Sequence, residues 1–153
     1  MKGLPDFEDM EKPMSTFLLM QHTSRKMVHQ IHEQGGFGDL THSQFYTLMA
    51  LQRHQDLPLS EISGCIRRSP GNMTLVVDNL EKAGWVERVR SKEDRRVILV
   101  HLTESGKEKI ETAKKENARI IGSLMSKLNK EEINTLFTIL VKLNNGKLNS
   151  SEI

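Results

Sequence analysis

The segment 60–102 constrains the fold more than any other part of the chain, because it contains two helix starts in quick succession and then two strand-like runs. Ser60 is placed to cap a short helix. Ser69 before Pro70 repeats this signal, since a serine cap followed by a first-turn proline suits a helix N-terminus. Gly84 supplies a left-handed stop for the second helix. The segment therefore predicts two short helices joined by a tight turn.

The residues that follow this helix pair predict a β-hairpin with a charged tip. Residues 85–90 and 97–102 alternate apolar and polar side chains, which is typical of strands, and residues 91–96 between them are rich in charge. Two short helices followed by a hairpin are the parts of a winged helix-turn-helix, in which the hairpin is the wing.

Two further helices are predicted before this segment. Pro13 suits the first turn of one helix, and Thr41 with Gln44 forms a capping box for another that extends to about residue 54. Residues 57–59 predict a short extended link. The first helix ends at a glycine pair and carries a heptad-like apolar seam, which comprises Phe17, Met20, Met27 and Ile31.

Two helices are also predicted after the hairpin. Thr103 is placed to cap a long helix, and Asn129 with Glu132 opens a last helix that closes near residues 144–146. The apolar stripe of the long helix consists of Ile110, Ala113, Asn117, Ile121, Leu124 and Leu128. That of the last helix consists of Ile133, Leu136, Phe137, Leu140 and Leu143.

The predicted fold class is therefore mainly α with a small β-hairpin wing, in one integrated domain. Residues 1–40 form an N-terminal tail and a dimerisation helix, and residues 41–102 form the winged helix-turn-helix lobe. Residues 103–146 form the C-terminal dimerisation helices, and residues 147–153 are a frayed tail.

Charge is concentrated in the centre of the chain. The net charge of all 153 residues is only +2, but from Arg67 to Arg96 eight basic side chains stand against five acidic ones, a net charge of +3. Such an excess favours a polyanionic partner. The single cysteine, and the lack of an apolar run of the ~20 residues needed to cross a bilayer, predict a cytoplasmic protein without a membrane partner.

The outward face of the fourth helix suits the major groove of DNA. Asn72 can donate to and accept from an adenine edge, Thr74 can bond a base or a phosphate, and Leu75 can contact a thymine methyl group. The predicted DNA-facing residues of this helix and its cap are Ser69, Pro70, Gly71, Asn72, Thr74 and Leu75.

The hairpin tip suits the neighbouring minor groove. Asp94 and Arg96 are two residues apart, so we expect them to pair and hold the tip, which leaves Arg95 to enter the groove. Further cations are expected to contact phosphates, namely Arg67, Arg68, Arg88, Arg90 and Lys92.

The chain resembles the multiple-antibiotic-resistance regulators, known as the MarR family. The wing pattern of that family is aspartate, any residue, arginine, five residues and Leu-Thr, and it stands here as Asp94, Arg96, Leu102 and Thr103. The resemblance extends over residues 57–110, with the element order agreeing over most of the chain. Leu75 stands where the family commonly has arginine, so the operator sequence does not follow from the resemblance.

The resemblance implies a homodimer in which the first and the last two helices intertwine. Two winged lobes would bind a palindromic operator in double-stranded DNA and repress transcription. It also implies release by a small phenolic or anionic effector that binds between lobe and dimer region. No cofactor or metal is implied, and the positions of Ser69, Pro70, Asn72, Thr74 and Arg95 correspond to DNA-contacting positions of the family.

Other interpretations stay open. Cys65 lies on the apolar face of its short helix, which favours a structural thiol over a redox sensor. A zinc sensor would use histidines as ligands, but no further ligands at a recognised spacing accompany His22, His29, His32 and His42. A winged helix can also serve protein partners alone, although Arg95 at the wing tip favours DNA. No phosphate-cradling loop or nucleophile elbow is present, so no enzyme is predicted.

Overall fold

The computed structural model describes residues 11–66 and 70–144, and within these it leaves out the side chains of residues 65, 66 and 70–72. Its elements are α1 (Lys12–Glu33), α2 (His42–His54), β1 (Leu57–Pro58), α3 (Leu59–Ile66), α4 (Pro70–Lys82), β2 (Val86–Arg90), β3 (Ile98–Leu102), α5 (Glu104–Met125) and α6 (Lys130–Leu143). The predicted fold class, mainly α with a β wing, is confirmed. No helix within the described ranges has both the length and the hydrophobicity to span a bilayer.

The predicted helix starts that rest on capping signals are largely confirmed. The Thr41 hydroxyl accepts the N–H of Gln44 at 3.2 Å, and the Gln44 side chain accepts the N–H of Thr41 at 2.8 Å. Asn129 and Glu132 form a second capping box at the start of α6. Each box satisfies backbone donors that the first turn of a helix leaves unpaired.

The sheet contains one strand more than the predicted hairpin. Its order is β1-β3-β2, all antiparallel, and β1 pairs with β3 through Leu57 opposite Val100. The expected extended link is thus a two-residue edge strand, a position that tolerates Pro58 because one side of an edge strand needs no ladder donor. The two wing strands are each one residue shorter than predicted and begin at Val86 and Ile98.

Three predicted details of the helices are wrong. The short helix α3 begins at Leu59, so Ser60 lies inside it and not at its cap. The buried isoleucine in the second half of α5 is Ile120, whereas Ile121 is exposed, because steps of three and four residues both keep a helical stripe. Helix α5 ends at Met125, which leaves Leu128 in the turn before α6.

One apolar core joins the helix pair, the sheet and the long helix. Its fully buried side chains come from α2, α3, α4, both wing strands and α5, with Phe37 from the α1–α2 connection. They include Phe37, Phe45, Leu48, Leu51, Ile62, Met73, Val77, Leu80, Val86, Val100, Ile110 and Ile120. Burial of such side chains contributes roughly 1.5–3 kcal/mol each, so this core holds the lobe to α5.

Helix α6 differs from the others, because none of its residues is buried within the chain. Its apolar face nevertheless runs its whole length, and Phe137 is 60% exposed. The exposed apolar residues of α6 are Ile133, Leu136, Phe137, Ile139, Leu140 and Leu143. Part of the predicted α1 seam is exposed too, since Phe17 and Met20 lie open while Ile31 is buried. An apolar surface of this extent marks an interaction site.

Candidate nucleic-acid interface

Helix α4 presents a polar and partly apolar face to solvent. Met73, Val77 and Leu80 on its inner side are fully buried, whereas Thr74 and Leu75 are exposed, as predicted. Leu75 is 58% exposed. A leucine on an outer helix face gains nothing from the protein core, so its place there is consistent with an apolar contact to another molecule.

Several predicted DNA-facing residues cannot be placed in this way. Those outside the described residues are Arg67, Arg68 and Ser69, and those whose side chains are not described are Pro70, Gly71 and Asn72. The side chain of Cys65, which was predicted to be a structural thiol, is not described either. Helix α4 does begin at Pro70, in agreement with the predicted first-turn proline. The roles of these residues stay predictions.

The wing tip is held by short-range hydrogen bonds. The Ser91 hydroxyl accepts the N–H groups of Glu93 and Asp94 at 3.2 and 3.3 Å. The Asp94 carboxylate accepts the backbone N–H of Arg96 at 2.9 Å and approaches its Nε at 3.4 Å. The predicted pairing of Asp94 with Arg96 is therefore present. Because most of these bonds involve backbone N–H groups, they fix the shape of the tip more than they neutralise charge.

Arg95 lies at the exposed tip between these two residues. Within the described part of the chain, it makes no hydrogen bond or ion pair, and the same holds for Arg90 and Lys92, which are also exposed. Three solvated cations on one hairpin form a surface that attracts phosphate groups.

Arg88 does not join them, although the sequence predicted a phosphate contact for it. Its guanidinium donates to Asp78 Oδ1 at 2.5 Å and to the carboxylate of Glu81, both on α4. Partial burial alone would lower the pKa of Arg88, but these two hydrogen bonds raise it above its ordinary value. Arg88 therefore links the wing to helix α4.

The root of the wing is joined to α5 through Thr103. Its hydroxyl donates to the carbonyl of Gly84 at 2.7 Å and accepts the N–H of Gly106 at 3.1 Å, while its own N–H donates to the carbonyl of Trp85 at 3.1 Å. The sequence predicted only the helix cap. The link to the wing was missed, although a glycine three residues after the cap was a signal that the backbone approaches closely there.

A second link at this root involves Lys109 of α5. Its ammonium forms an ion pair with Asp39 in the α1–α2 connection and lies 4.7 Å from the centre of the Trp85 ring. The hydrogen bond from Lys109 lowers the pKa of Asp39 below its ordinary value. Three segments that are distant in sequence therefore meet at one cation.

An open cavity of about 390 Å³ lies between α1 and the start of α2. The Phe37 ring meets the His42 ring edge-on, with centroids 5.5 Å apart, so part of the wall is aromatic. Arg25 adds a cationic group. The lining residues are Ser24, Arg25, Val28, His29, His32, Phe37 and His42. Apolar walls with a few polar groups are typical of small-molecule sites of this size.

Among the described residues, no group of three or more histidine, cysteine, aspartate or glutamate side chains is arranged to hold a metal ion. His29 pairs with Glu33 at 3.4 Å, one turn along the same helix. The zinc-sensor interpretation thus gains no support from this part of the chain.

Comparisons with known proteins agree with this architecture. A model of the MarR family matches residues 40–98. The HTH-type transcriptional repressor MdtR of Bacillus subtilis is 31% identical over 130 residues, which are 85% of this chain and 81% of MdtR. A mutant MarR from E. coli, solved in complex with operator DNA, has a TM-score of 0.75 and 26% identity over 86% of this chain and 94% of that one.

Another solved structure shows likeness of fold alone. Bordetella bronchiseptica BpsR, whose DNA binding is regulated by 6-hydroxynicotinic acid, has a TM-score of 0.75 at 22% identity, over 84% of this chain and 98% of that one.

Proposed function

Because this chain belongs to the MarR family, it is a DNA-binding transcriptional regulator, and we propose that it acts as a homodimeric repressor of a palindromic operator. The proposal rests on one observation: the outer face of α4 and the cationic wing tip beside it are both exposed. We expect the protein to act in the cytoplasm, where the chromosome of its Bacillus subtilis relative MdtR lies.

Helix α4 would enter the major groove and select the sequence. Leu75 would contact a thymine methyl group, and Thr74 and Asn72 would bond base edges or phosphates. The backbone at Ser69 and Pro70 would approach a phosphate, because the N-terminus of a helix carries a partial positive charge. Gly71 in the same turn would allow that approach. Arg67 and Arg68, before the helix, would add attraction that does not depend on sequence.

The wing would bind the adjoining minor groove. Arg95 would extend into it, where the negative potential is concentrated, while Arg90 and Lys92 would contact the flanking phosphates. Asp94 and Arg96 would keep the tip in the shape that this insertion needs. Charge would therefore supply most of the attraction, and α4 most of the selectivity.

A second copy of the chain would cover the apolar faces of α6 and α1. Helix α6 buries nothing within its own chain, so its six large apolar side chains need a partner for the helix to be stable in water. A symmetric dimer would set the two α4 helices about 34 Å apart, the distance between successive major grooves on one side of the duplex.

A small phenolic or anionic effector would bind in the cavity between α1 and α2. The ring of Phe37 would pack against an aromatic effector, and Arg25 would bind its anionic group. The cavity lies between a helix of the dimer region and the lobe, so an occupant can change their relative position. A coupling of about 1–3 kcal/mol would alter DNA affinity by roughly 5- to 150-fold.

Selection of duplexes from a random-sequence library by the purified protein tests the proposal. We expect enrichment of an inverted repeat, and sedimentation at about twice the chain mass of 17.5 kDa. A monomer that enriches no duplex at low ionic strength would contradict the proposal and favour a module for protein partners.

A further inference from the structure

The junction between α4 and the wing contains two carboxylates and one guanidinium. Asp78 and Glu81 lie on α4, one turn apart, and Arg88 lies on β2. One terminal amino group of Arg88 donates a hydrogen bond to Asp78, and the other donates one to Glu81. Two bonds from one planar guanidinium fix direction as well as distance, which a single contact would not do.

The backbone of the wing takes part in the same arrangement. The N–H of Arg88 donates to Glu81 Oε1 at 3.1 Å. Strand β2 is an edge strand, paired with β3 on one side only, and this N–H points to the other side. Glu81 therefore binds the main chain of the wing strand and the side chain that grows from it, and α4 serves as a neighbour to the free edge of β2.

The Arg88 side chain is only 27% exposed, and the carboxylates occupy both of its terminal amino groups. A phosphate contact would have to use one of the N–H groups that the carboxylates leave free, or displace a carboxylate. In either case the phosphate would lie close to Asp78 and Glu81 on the helix that approaches DNA, which like-charge repulsion makes unfavourable. The geometry favours a different role for Arg88.

We propose that Arg88 is a positioning residue for DNA binding, which fixes the wing relative to α4 through Asp78 and Glu81 so that Arg95 meets the groove adjoining the one that α4 enters. This inference rests on the proposed function, since it assumes that α4 and the wing bind the same duplex. Arg88 touches no DNA in this arrangement, and its effect passes through the position of Arg95.

A double-mutant cycle between Arg88→Met and Arg95→Ala tests the inference. Methionine keeps the aliphatic stem of Arg88 and removes its donors. The probe is the 30-bp duplex that the wild-type protein enriches from a random library, and the readout is the dissociation constant. Residues that act through one another are not additive, whereas independent contacts add.

We expect Arg88→Met to weaken binding about tenfold in the wild-type background and clearly less, by about threefold or under, when Arg95 is already alanine and only the phosphate contacts of Arg90 and Lys92 are displaced. Hydroxyl-radical footprints should show the wing protection lost and the α4 protection kept. Equal losses of affinity in both backgrounds, with the wing protection kept, would overturn the inference and make Arg88 a direct phosphate contact.

A purely structural role is distinguished by two further variants. Glu81→Gln keeps an oxygen for the N–H of Arg88, whereas Glu81→Ala removes it, so the second should weaken binding more while both unfold at similar urea concentrations. Loss of DNA binding only in proportion to lost stability would overturn the inference. If Arg88→Met does not fold, the cycle with Arg88→Lys decides by the same criterion, because lysine cannot bind both carboxylates through a planar fork.

A failure of the inference is separable from a failure of the proposed function. If the wild-type protein enriches no duplex, the proposed function fails. If it enriches one and the cycle is additive, only the role of Arg88 fails.

Discussion

Replacement of Gly106 by alanine tests the contact between the wing root and α5. A Cβ atom at this position would lie 2.0 Å from the carbonyl oxygen of Trp85 and 2.8 Å from Cδ1 of Leu102. The first obstacle is backbone, so it cannot rotate away, and α5 or the wing root would have to shift by about 1 Å. Over-packing of this kind costs about 1–3 kcal/mol, and the backbone obstacle places this case at the upper end.

Helix propensity favours alanine at this position, whereas packing disfavours it. The sign of the change in the free energy of unfolding therefore shows which effect is larger. Alanine is favoured over glycine inside a helix by up to about 1 kcal/mol. The net expectation for Gly106→Ala is therefore a destabilisation of about 1–2 kcal/mol. Gly122 is a matched control on the same helix, because a Cβ there meets nothing of its own chain within 4 Å. Gly122→Ala should be neutral or stabilise by up to about 1 kcal/mol.

Urea unfolding at a fixed protein concentration measures both variants. Trp85 is the single tryptophan of the chain, so its fluorescence reports from the site of the predicted clash. The free energies of unfolding are compared at equal concentration, because the stability of a dimer depends on it. A Gly106→Ala protein as stable as the Gly122→Ala protein would refute the close approach of α5 to the wing root.

Four other changes have defined outcomes. Arg95→Ala should weaken DNA binding and reduce the slope of log affinity against log salt by about one while the protein stays dimeric, and an unchanged slope would remove Arg95 from the groove. Phe137→Asp should convert the protein to a monomer with a folded lobe, as measured by sedimentation and by the fluorescence of Trp85, because this side chain is 60% exposed in the single chain and does not pack in the lobe. A stable dimer would exclude α6 from the interface. Gln55 has φ 64° and ψ −126°, a strained conformation for a residue with a Cβ. Gln55→Gly should therefore raise the free energy of unfolding by about 1 kcal/mol, and a lower urea midpoint would contradict this. The folded-state pKa of Asp39 lies below its ordinary value of 3.8, so its pair with Lys109 stabilises the fold above that pH and ceases to do so as the pH falls through the lowered pKa. The difference in urea midpoint between the wild type and Lys109→Met should therefore shrink between about pH 6 and pH 3. A constant difference would count against the pair.

The features that could be predicted from the sequence depend on residues close together in the chain. Both capping boxes join residues three apart, and the pairing of Asp94 with Arg96 spans two. At such short separations, the backbone geometry determines which side chain and which N–H group meet. The inner and outer faces of α4 followed in the same way from helical periodicity, which is why Leu75 was placed correctly.

The features that could not be predicted depend on residues that are distant in the sequence, or on a choice between residues that the local pattern favours equally. Asp39 and Lys109 are joined only after α1 and α5 pack, and no local pattern indicates that they meet. Arg88 carried the same charge as the free cations of the wing, so composition could not separate it from them. Ile120 and Ile121 both continue a helical stripe, and only the packing of α5 against the core decides between them.

The hydrogen bonds of Thr103 tie the wing root to the first turn of α5, so the two are expected to move together. Helix α5 has 22 residues and is roughly 33 Å long, so it can act as a lever whose far end lies in the proposed dimer region. A tilt of about 5° around that end would carry the wing sideways by about 3 Å, half the width of a minor groove of about 6 Å. In the proposed complex, a displacement of this size at the root would be enough to move Arg95 out of the minor groove.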